Sequence, residues 1–389
     1  MIENLDSFQG LDVTLNTTQQ CNLRCKYCYE DKTTGELSLE NAKRFIDLLL
    51  TDDDPACVKG TQMEYLYDGL IIDFLGGDSL VNPKLLDDIL RYVNYKLVAL
   101  NHRAKGRWRA SITTNGTLFE RKDVREFCEK WKNNLSITVS IDGCPEIHDM
   151  NRIFTNGKGT MDTIMKWWGW YRKTFPTDSR STKSTLSKNS IPYMYDSLVF
   201  MHEQLGLNYI NQNFIMEDCG LTEEDYILFD EQMAKCVDYV YQHKDDLYWG
   251  MIDKARFVTK GDPDMGNSYC GSGCMPTLST DGKIYPCLRW LPITQKNNDI
   301  SFAVVGDVER GFYNKQALKL IQENSKRINC TKDEKCLTCE FESNCPYCIG
   351  GCFAEYGEFR RTTHSCEIIK RQCKWSKRYW EMIENEDKN

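Results

Sequence analysis

Residues 21–29 read CNLRCKYCY, and they follow LDVTLNT at 11–17, a short alternating run rich in β-branched side chains. The run has the pattern of a β-strand, so the cysteines fall in the loop that leaves its end. Cys21, Cys25 and Cys28 are spaced x3 and x2. Three thiolates at this spacing can hold three irons of a [4Fe–4S] cluster and leave the fourth iron open to an outside ligand. Electron-transfer ferredoxin sites mostly close all four positions, so an open iron is a place for chemistry. Structural zinc fits less well, since it takes four ligands, usually as two paired knuckles, and no fourth lies near in sequence.

The segments after the loop set the fold. Strand signals at 70–75 (LIIDFL), 108–114 (WRASITT), 135–141 (LSITVSI), 183–188 and 208–215 alternate with helical segments. The helices are expected at Leu37–Leu50, with Ser38 as N-cap, and near 82–98, 118–132, 159–174 and 222–245. Six β-then-α units argue a parallel sheet with helices outside it, short of a closed eight-unit barrel. The expected class is α/β, a partial (β/α)6 TIM-like barrel followed by a small cysteine-rich domain. In such a fold the site gathers at the C-terminal ends of the strands, where the Cys21–Cys28 loop lies. Residues 174–184 form a polar loop. The alternation stops near 250; beyond it come a hairpin at 276–286, turning at Asp281-Gly282, and an amphipathic helix at 365–385. The expected divisions are 1–250, 251–375 and a helical tail, 376–389.

The chain has 389 residues, 41% hydrophobic, with a formal net charge of −8. The acidic balance and the lack of a dense basic stripe argue against nucleic-acid binding. The start, MIENLDSFQG, has no apolar signal region, and no run approaches about 18 apolar residues, so no membrane partner and a cytoplasmic location are expected. Nineteen cysteines are unusual there, because cytosolic disulfides are rare. Cys57, Cys128, Cys144, Cys219 and Cys236 are scattered and read as ordinary thiols, while eleven others lie between Cys270 and Cys373. That clustering favours metal sites and an anaerobic host.

The triplet, with Tyr27 before its third cysteine, resembles the signature of the radical S-adenosylmethionine (AdoMet, SAM) enzymes. Gly76-Gly77-Asp78-Ser79 after the second strand resembles the family's Gly-Gly-Glu-Pro segment, with Asp and Ser as departures. SIDGCPEIHDMNR at 140–152 and GKGT at 157–160 resemble a stretch of the peptide-modifying branch. The resemblance implies that Tyr27, Gly76, Gly77, Asp78, Asn115, Ser140 and Arg152 serve the AdoMet pocket, with Asp142 ordering its own loop. The C-terminal cysteines resemble the SPASM domain with two auxiliary [4Fe–4S] clusters. The resemblance implies one cluster on Cys270, Cys274, Cys287 and Cys348, and another on Cys336, Cys339, Cys345 and Cys366. Cys352 competes with Cys348 for one role, and Cys330 and Cys373 are left over.

The resemblance further implies reductive cleavage of AdoMet to a 5′-deoxyadenosyl radical and hydrogen abstraction from a peptide. The favoured reading is a maturase of ribosomally made, cysteine-containing peptides that forms a sulfur-to-carbon thioether. Its expected partners are a precursor peptide and a reductant such as flavodoxin or ferredoxin. The rival is an anaerobic sulfatase maturase forming formylglycine, whose best-known members carry Asp after the Cys287-type ligand; here that neighbour is Leu288. Other peptide chemistry, including carbon–carbon cross-linking, stays open. So do two non-enzymatic readings, an iron–sulfur redox or scaffold protein and a zinc-binding interaction protein. The first strand begins near residue 11, which leaves no room for a preceding leader-binding domain. No catalytic base stands out: Asp281, Glu217 and Asp218 are candidates by position only, and Tyr29 and Glu30 are candidates for the mouth of the site.

Overall fold

The computed structural model describes residues 10–30, 32–51, 69–215, 217–260, 271–296 and 298–386. It divides into two compact units. The first comprises 1–138, 163–175 and 271–323, and the second 139–162, 176–270 and 324–389.

The first unit is built on β1 (Gly10–Thr18), α1 (Leu39–Thr51), β2 (Gly69–Gly76), α2 (Pro83–Ala99), β3 (Trp108–Thr114), α3 (Lys122–Trp131) and β4 (Leu135–Val139). β1 pairs with β2 and β2 with β3, all parallel, and β4 follows β3 at the sheet edge. Alternation explains the layering. Leu11, Val13, Leu15, Leu70, Ile72, Phe74, Ala110, Ile112, Leu135 and Ile137 are buried, as are Phe45, Leu86, Ile89, Val93 and Phe127 of the helices. Most intervening positions are polar, namely Asp12, Thr14, Asn16, Asp73, Arg109, Ser111, Thr113, Ser136 and Thr138, with Ile71 and Leu75 of β2 as apolar exceptions. A parallel sheet covered on both faces by helices reads apolar throughout. A mostly polar second face is instead the pattern of an inward wall.

Ser38 caps α1, its Oγ accepting from Asn41 N at 3.0 Å. Asn82 caps α2 ahead of Pro83, accepting from Leu85 N at 3.1 Å. The expected helix at 118–132 splits into a 3-10 turn, Thr117–Glu120, and α3, because Arg121 is extended (φ −77°, ψ 132°).

The second unit holds α4 (Pro145–Asn151), α5 (Met161–Thr174, whose last twelve residues belong to the first unit), β5 (Lys183–Leu186), α6 (Met194–Val199), β6 (Tyr209–Phe214), α7 (Glu223–Gln242) and β7 (Tyr248–Trp249). β5, β6 and β7 form a parallel three-stranded sheet. α8 (Lys254–Phe257) follows. The βα alternation read from sequence therefore holds, and β7 adds a two-residue strand that its length hides from pattern reading.

The hairpin forms as expected, β8 (Thr277–Leu278) against β9 (Lys283–Tyr285). Unexpectedly, β8 also pairs parallel with β1, and β10 (Gly306–Asp307) extends the sheet beyond β9. The physical reason is an edge: β1 begins the sheet and needs a neighbour for its outer hydrogen-bonding groups. The remaining helices are α9 (Trp290–Lys296), α10 (Lys315–Ser325), α11 (Glu334–Leu337), α12 (Ile349–Tyr356) and α13 (Cys366–Glu386). α13 packs on α7 and α8 in the second unit, with Trp375 Nε1 donating to Asp230 at 2.8 Å. Among the described residues no helix is long and apolar enough to cross a membrane.

Candidate active site

β1 ends in a register irregularity between Asn16 and Thr18, and the chain then leaves the sheet. The cysteine loop is closed at its base. Gln19 N donates to Gly35 O at 2.8 Å and Leu37 N to Thr17 O at 2.9 Å. The end of β2 is docked under the same loop: Gly77 N donates to Thr18 O at 2.7 Å and Asp78 N to Gln20 O at 2.9 Å. This contact explains the two glycines. A Cβ on Gly76 would lie 2.1 Å from Thr18 O, and one on Gly77 2.0 Å from Gln20 O. Gly76 also has φ +131°. The close approach that the glycines permit is thus to the backbone of the cysteine loop itself.

Cys25 and Cys28 share one turn, Cys28 N donating to Cys25 O at 3.2 Å, and Cys25 lies near enough to Cys21 to act on its thiol. Cys21 Sγ accepts from Leu23 N at 3.4 Å and faces Asn115 Nδ2 at 3.8 Å. Burial, then the Asp78 carboxylate, pushes the Cys21 thiol up to about 11. Burial works against the charge on Lys32, but the Cys28 thiolate outweighs it and the Lys32 ammonium is raised overall. Sequence reading missed Lys32, since a lone lysine in a loop carries no pattern.

Asn115 is a hub. Its Nδ2 donates to Asn22 Oδ1 at 2.9 Å, its Oδ1 accepts from Thr117 N at 2.9 Å, and its backbone N donates to Asp78 Oδ2 at 2.9 Å. Asn22 and Thr117, also missed, are joined at 2.8 Å. Asp78 is buried, and it accepts from Leu80 N at 3.1 Å and Thr114 Oγ1 at 2.9 Å. Burial raises its carboxyl, and these donors oppose the rise. Tyr27 is half-buried, and exposed Tyr29 lies under the Arg289 guanidinium, 5.6 Å from the ring centre. Glu30 is buried.

The second cluster of expected site residues lies in the second unit. Ser140 is buried beside Lys183 of β5. Asp142 is fully buried; it pairs with Arg152 Nε at 3.1 Å and accepts from Thr185 N at 3.2 Å. His148 Nδ1 accepts from Asp142 N at 3.3 Å, its Nε2 meets Thr160 Oγ1 at 3.0 Å, and Thr160 Oγ1 donates to Arg152 O at 2.9 Å. His148 is therefore a neutral Nε2–H tautomer, and burial, then Arg152, lowers it to about 3. The Gly-Lys-Gly-Thr stretch acts locally. Asp149 accepts from Thr160 N and Met161 N and starts α5, and a Cβ on Gly159 would strike Asp149 at 2.2 Å.

Four C-terminal cysteines, Cys336, Cys339, Cys345 and Cys366, line one cavity with Arg361 and Lys370. Glu342 anchors the cations beside it: Arg361 Nη1 at 2.7 Å, Arg327 Nη1 at 2.7 Å and Lys332 Nζ at 3.3 Å. Burial opposes the charge on Arg361, yet Cys345 and Glu342 raise it overall. Burial raises the Cys345 and Cys366 thiols. Cys373 packs among Phe257, Ile369, Phe341 and Cys345, and its thiol is pushed up to about 12 by burial, then by Cys345.

Cys348 caps α12, accepting from Gly351 N at 3.4 Å. Cys352 points to the interior near Thr362 and Cys330, whose thiol burial, then Cys352, pushes up to about 12. Cys274 and Cys287 are buried in the first unit. Cys270 and Cys57 lie outside the described residues. The described cysteines are thiols rather than disulfides. Among the base candidates, Asp281 accepts from Lys283 N at 3.3 Å and pairs with its Nζ at 2.9 Å, and Asp218 accepts from Gly220 N at 2.9 Å. Both are turn acids. Glu217 lines a small cavity with Cys219 and His364.

Residues 15–186, a little under half of the chain, match the Radical SAM superfamily model. An uncharacterized protein of Methanocaldococcus jannaschii is 30% identical over 190 residues, 48% of this chain and 57% of its own length. The cysteine-type anaerobic sulfatase-maturating enzyme of Clostridium novyi is 24% identical over 86% of this chain and 85% of its own. The antilisterial bacteriocin subtilosin biosynthesis protein AlbA of Bacillus subtilis is 24% identical over 94% of this chain and 71% of its own. The solved structure of native anSMEcpe with bound AdoMet superposes with a TM-score of 0.71 at 14% identity, over 96% of this chain and 99% of that one. The fold is therefore α/β with parallel sheets, the radical SAM fold.

Proposed function

We propose that the protein is a radical SAM peptide maturase that joins a cysteine sulfur to a carbon of a ribosomally made peptide. The observation that carries this reading is a pair of cysteine sites with different valence. One has three thiols on a single loop after β1, with Lys32 near two of them; the other has four around a single cavity.

The residues present fit the groups this chemistry needs. Thiolate-ligated clusters carry net negative charge and are tuned by hydrogen bonds to sulfur. Here Asn115 turns an N–H toward Cys21, Lys32 stands beside Cys28, and Arg361 and Lys370 stand beside the four-cysteine cavity. Cys21, Cys25 and Cys28 would hold an AdoMet-binding [4Fe–4S] cluster, and Cys336, Cys339, Cys345 and Cys366 an auxiliary one. Cys274 and Cys287, both buried in the first unit, would serve a second auxiliary cluster. On the first unit, AdoMet would be met by Tyr27 and by the backbone of Gly76 and Gly77, with buried Asp78 bracing that turn through Thr114 and Asn115. When bound, the first cluster and AdoMet supply reductive cleavage of a sulfonium and hydrogen-atom abstraction.

The chain's own residues orient and shield. Asn115 ties Cys21 to Asn22 and to Asp78, so strand ends β1, β2 and β3 hold the loop as one piece. Asp142 holds Arg152 in place, and neutral His148 adds no charge beside that guanidinium. A thioether forms from one C–H and one S–H, so a second electron must leave after the first abstraction. The four-cysteine cavity with its fixed cations suits that acceptor role. Residues 251–375 would thus form the auxiliary-cluster segment, with a peptide as substrate and a flavodoxin or ferredoxin as reductant.

The formylglycine reading has support in the Clostridium novyi relative's coverage, but the half-buried Leu288 after Cys287 offers no base. Mass spectrometry of a cysteine-containing peptide encoded beside the gene decides between them. A thioether gives loss of two hydrogens with cysteines that resist alkylation. Conversion of a sulfatase Cys-x-Pro-x-Arg segment to an aldehyde, with the neighbouring peptide untouched, would reject the proposal.

A further inference from the structure

The second unit contains a histidine and carboxylate cluster that the cysteine chemistry does not use. After α6 the chain makes a π turn, Phe200–Gln204, with Leu205 N donating to Phe200 O at 3.2 Å. Such turns recur at functional positions because the extra residue redirects side chains. This one carries His202 and Glu203. α7 ends at Gln242, and a tight turn follows in which Asp246 N and Leu247 N both donate to His243 O, at 3.1 and 2.9 Å. The turn presents His243 and Asp246 to His202. One nitrogen from each imidazole and one carboxylate oxygen lie within 4.8 Å of one another.

The separations decide what this cluster can be. His202 Nε2 is 3.4 Å from Asp246 Oδ2, and His243 Nδ1 is 3.8 Å from Asp246 Oδ1. The second is too long for a hydrogen bond. Two ligand atoms on a tetrahedral zinc with bonds near ~2.0 Å lie roughly 3.3 Å apart, which is close to both. The protonation pattern points the same way. Tyr239 OH donates to Glu203 Oε1 at 3.1 Å, so it accepts from His202 Nδ1 at 2.8 Å. His202 then carries a proton on Nδ1, which leaves Nε2 as the atom that meets the Asp246 carboxylate. A carboxylate–tyrosine–histidine relay of this kind fixes a metal-binding imidazole in its tautomer and orientation. The Tyr239 ring also packs on His243, with centroids 4.4 Å apart.

We propose that His202 Nε2, His243 Nδ1 and the Asp246 carboxylate bind a divalent transition-metal ion, zinc above all, with the remaining coordination position open to water. Imidazole and carboxylate donors without sulfur suit Zn2+ rather than an iron–sulfur cluster. His202 is largely buried, whereas Asp246 faces solvent, so an ion can enter from the outside. Bound there, it would clamp the turn before β7 to the π turn. Tyr239 and Glu203 are positioning residues for that ion.

The test uses the full chain with its iron–sulfur clusters assembled anaerobically, so that its cysteines do not compete for zinc. Zinc chloride is titrated against a chromophoric chelator, and zinc X-ray absorption reads the ligand shell. The expected result is one equivalent of zinc in a nitrogen and oxygen shell near ~2.0 Å, with no sulfur shell near ~2.3 Å. His202→Ala, His243→Ala and the surface change Asp246→Asn should each weaken binding at least about tenfold, and Tyr239→Phe about tenfold, with iron content and circular dichroism unchanged. A sulfur shell, zinc affinity indifferent to Asp246→Asn and His243→Ala, or no equivalent retained at micromolar free zinc would overturn the proposal and leave a surface ion pair.

Discussion

Asn115 shows how one side chain can serve a site it does not itself form. Its amide faces Cys21 Sγ at 3.8 Å while its oxygen and backbone tie Thr117 and Asp78. Asn115→Ala should lower AdoMet cleavage by about ten- to a hundredfold while the C-terminal iron stays in place, which cleavage assays and iron analysis would measure. A second residue-scale effect lies on the polar face of the first sheet. The Asp12 carboxyl is raised to about 7 by burial, then by Asp73, which accepts from Ser111. A folded-state value above the unfolded one near 3.8 means the folded chain binds the extra proton. The stabilisation is complete below about 4 and is lost as pH rises through about 7. Asp12→Asn should therefore raise the unfolding temperature more at pH 8 than at pH 5.5, as calorimetry at the two values would show. Equal gains would place Asp12 outside this linkage.

Elements build the loop by pressing strand ends together, and glycine decides whether they fit. Gly77→Ala would put a methyl group against the Gln20 carbonyl, a backbone atom that cannot swing away. The expected cost is more than about 2 kcal/mol, with loss of iron from the triplet. Gly169, exposed within α5 with nothing near its Cβ position, is the contrast: Gly169→Ala should stabilise by about 0.5–1 kcal/mol. Thermal unfolding of both variants measures the difference. The strands β1 to β6 and helices α1, α2, α5, α7 and α13 were legible in the sequence, because period-two and helical patterns survive wherever one face is apolar. The triplet was legible because spacing alone carries its chemistry. Contact between distant segments stayed hidden. No local pattern tells that β8 would cover the edge of β1, that Lys32 would stand beside Cys28, or that Asp78 would spend its carboxylate on Thr114 and Asn115. Two-residue strands such as β7 fall below the length at which alternation can be seen.

At the scale of the whole molecule, the proposal assigns a three-cysteine site to the segment that matches the Radical SAM model and a four-cysteine site to the C-terminal cavity. The two should be separable. Replacing Cys336, Cys339, Cys345 and Cys366 by Ala should remove one cluster's worth of iron and abolish peptide product while reductive AdoMet cleavage continues. The reverse experiment bears on the central claim most directly. The variant with Cys21, Cys25 and Cys28 all changed to Ala is reduced and supplied with AdoMet, and 5′-deoxyadenosine is measured. The expected result is no cleavage above background, with auxiliary iron still in place. Cleavage at the wild-type rate in that variant would contradict the assignment of the triplet as the radical-forming site.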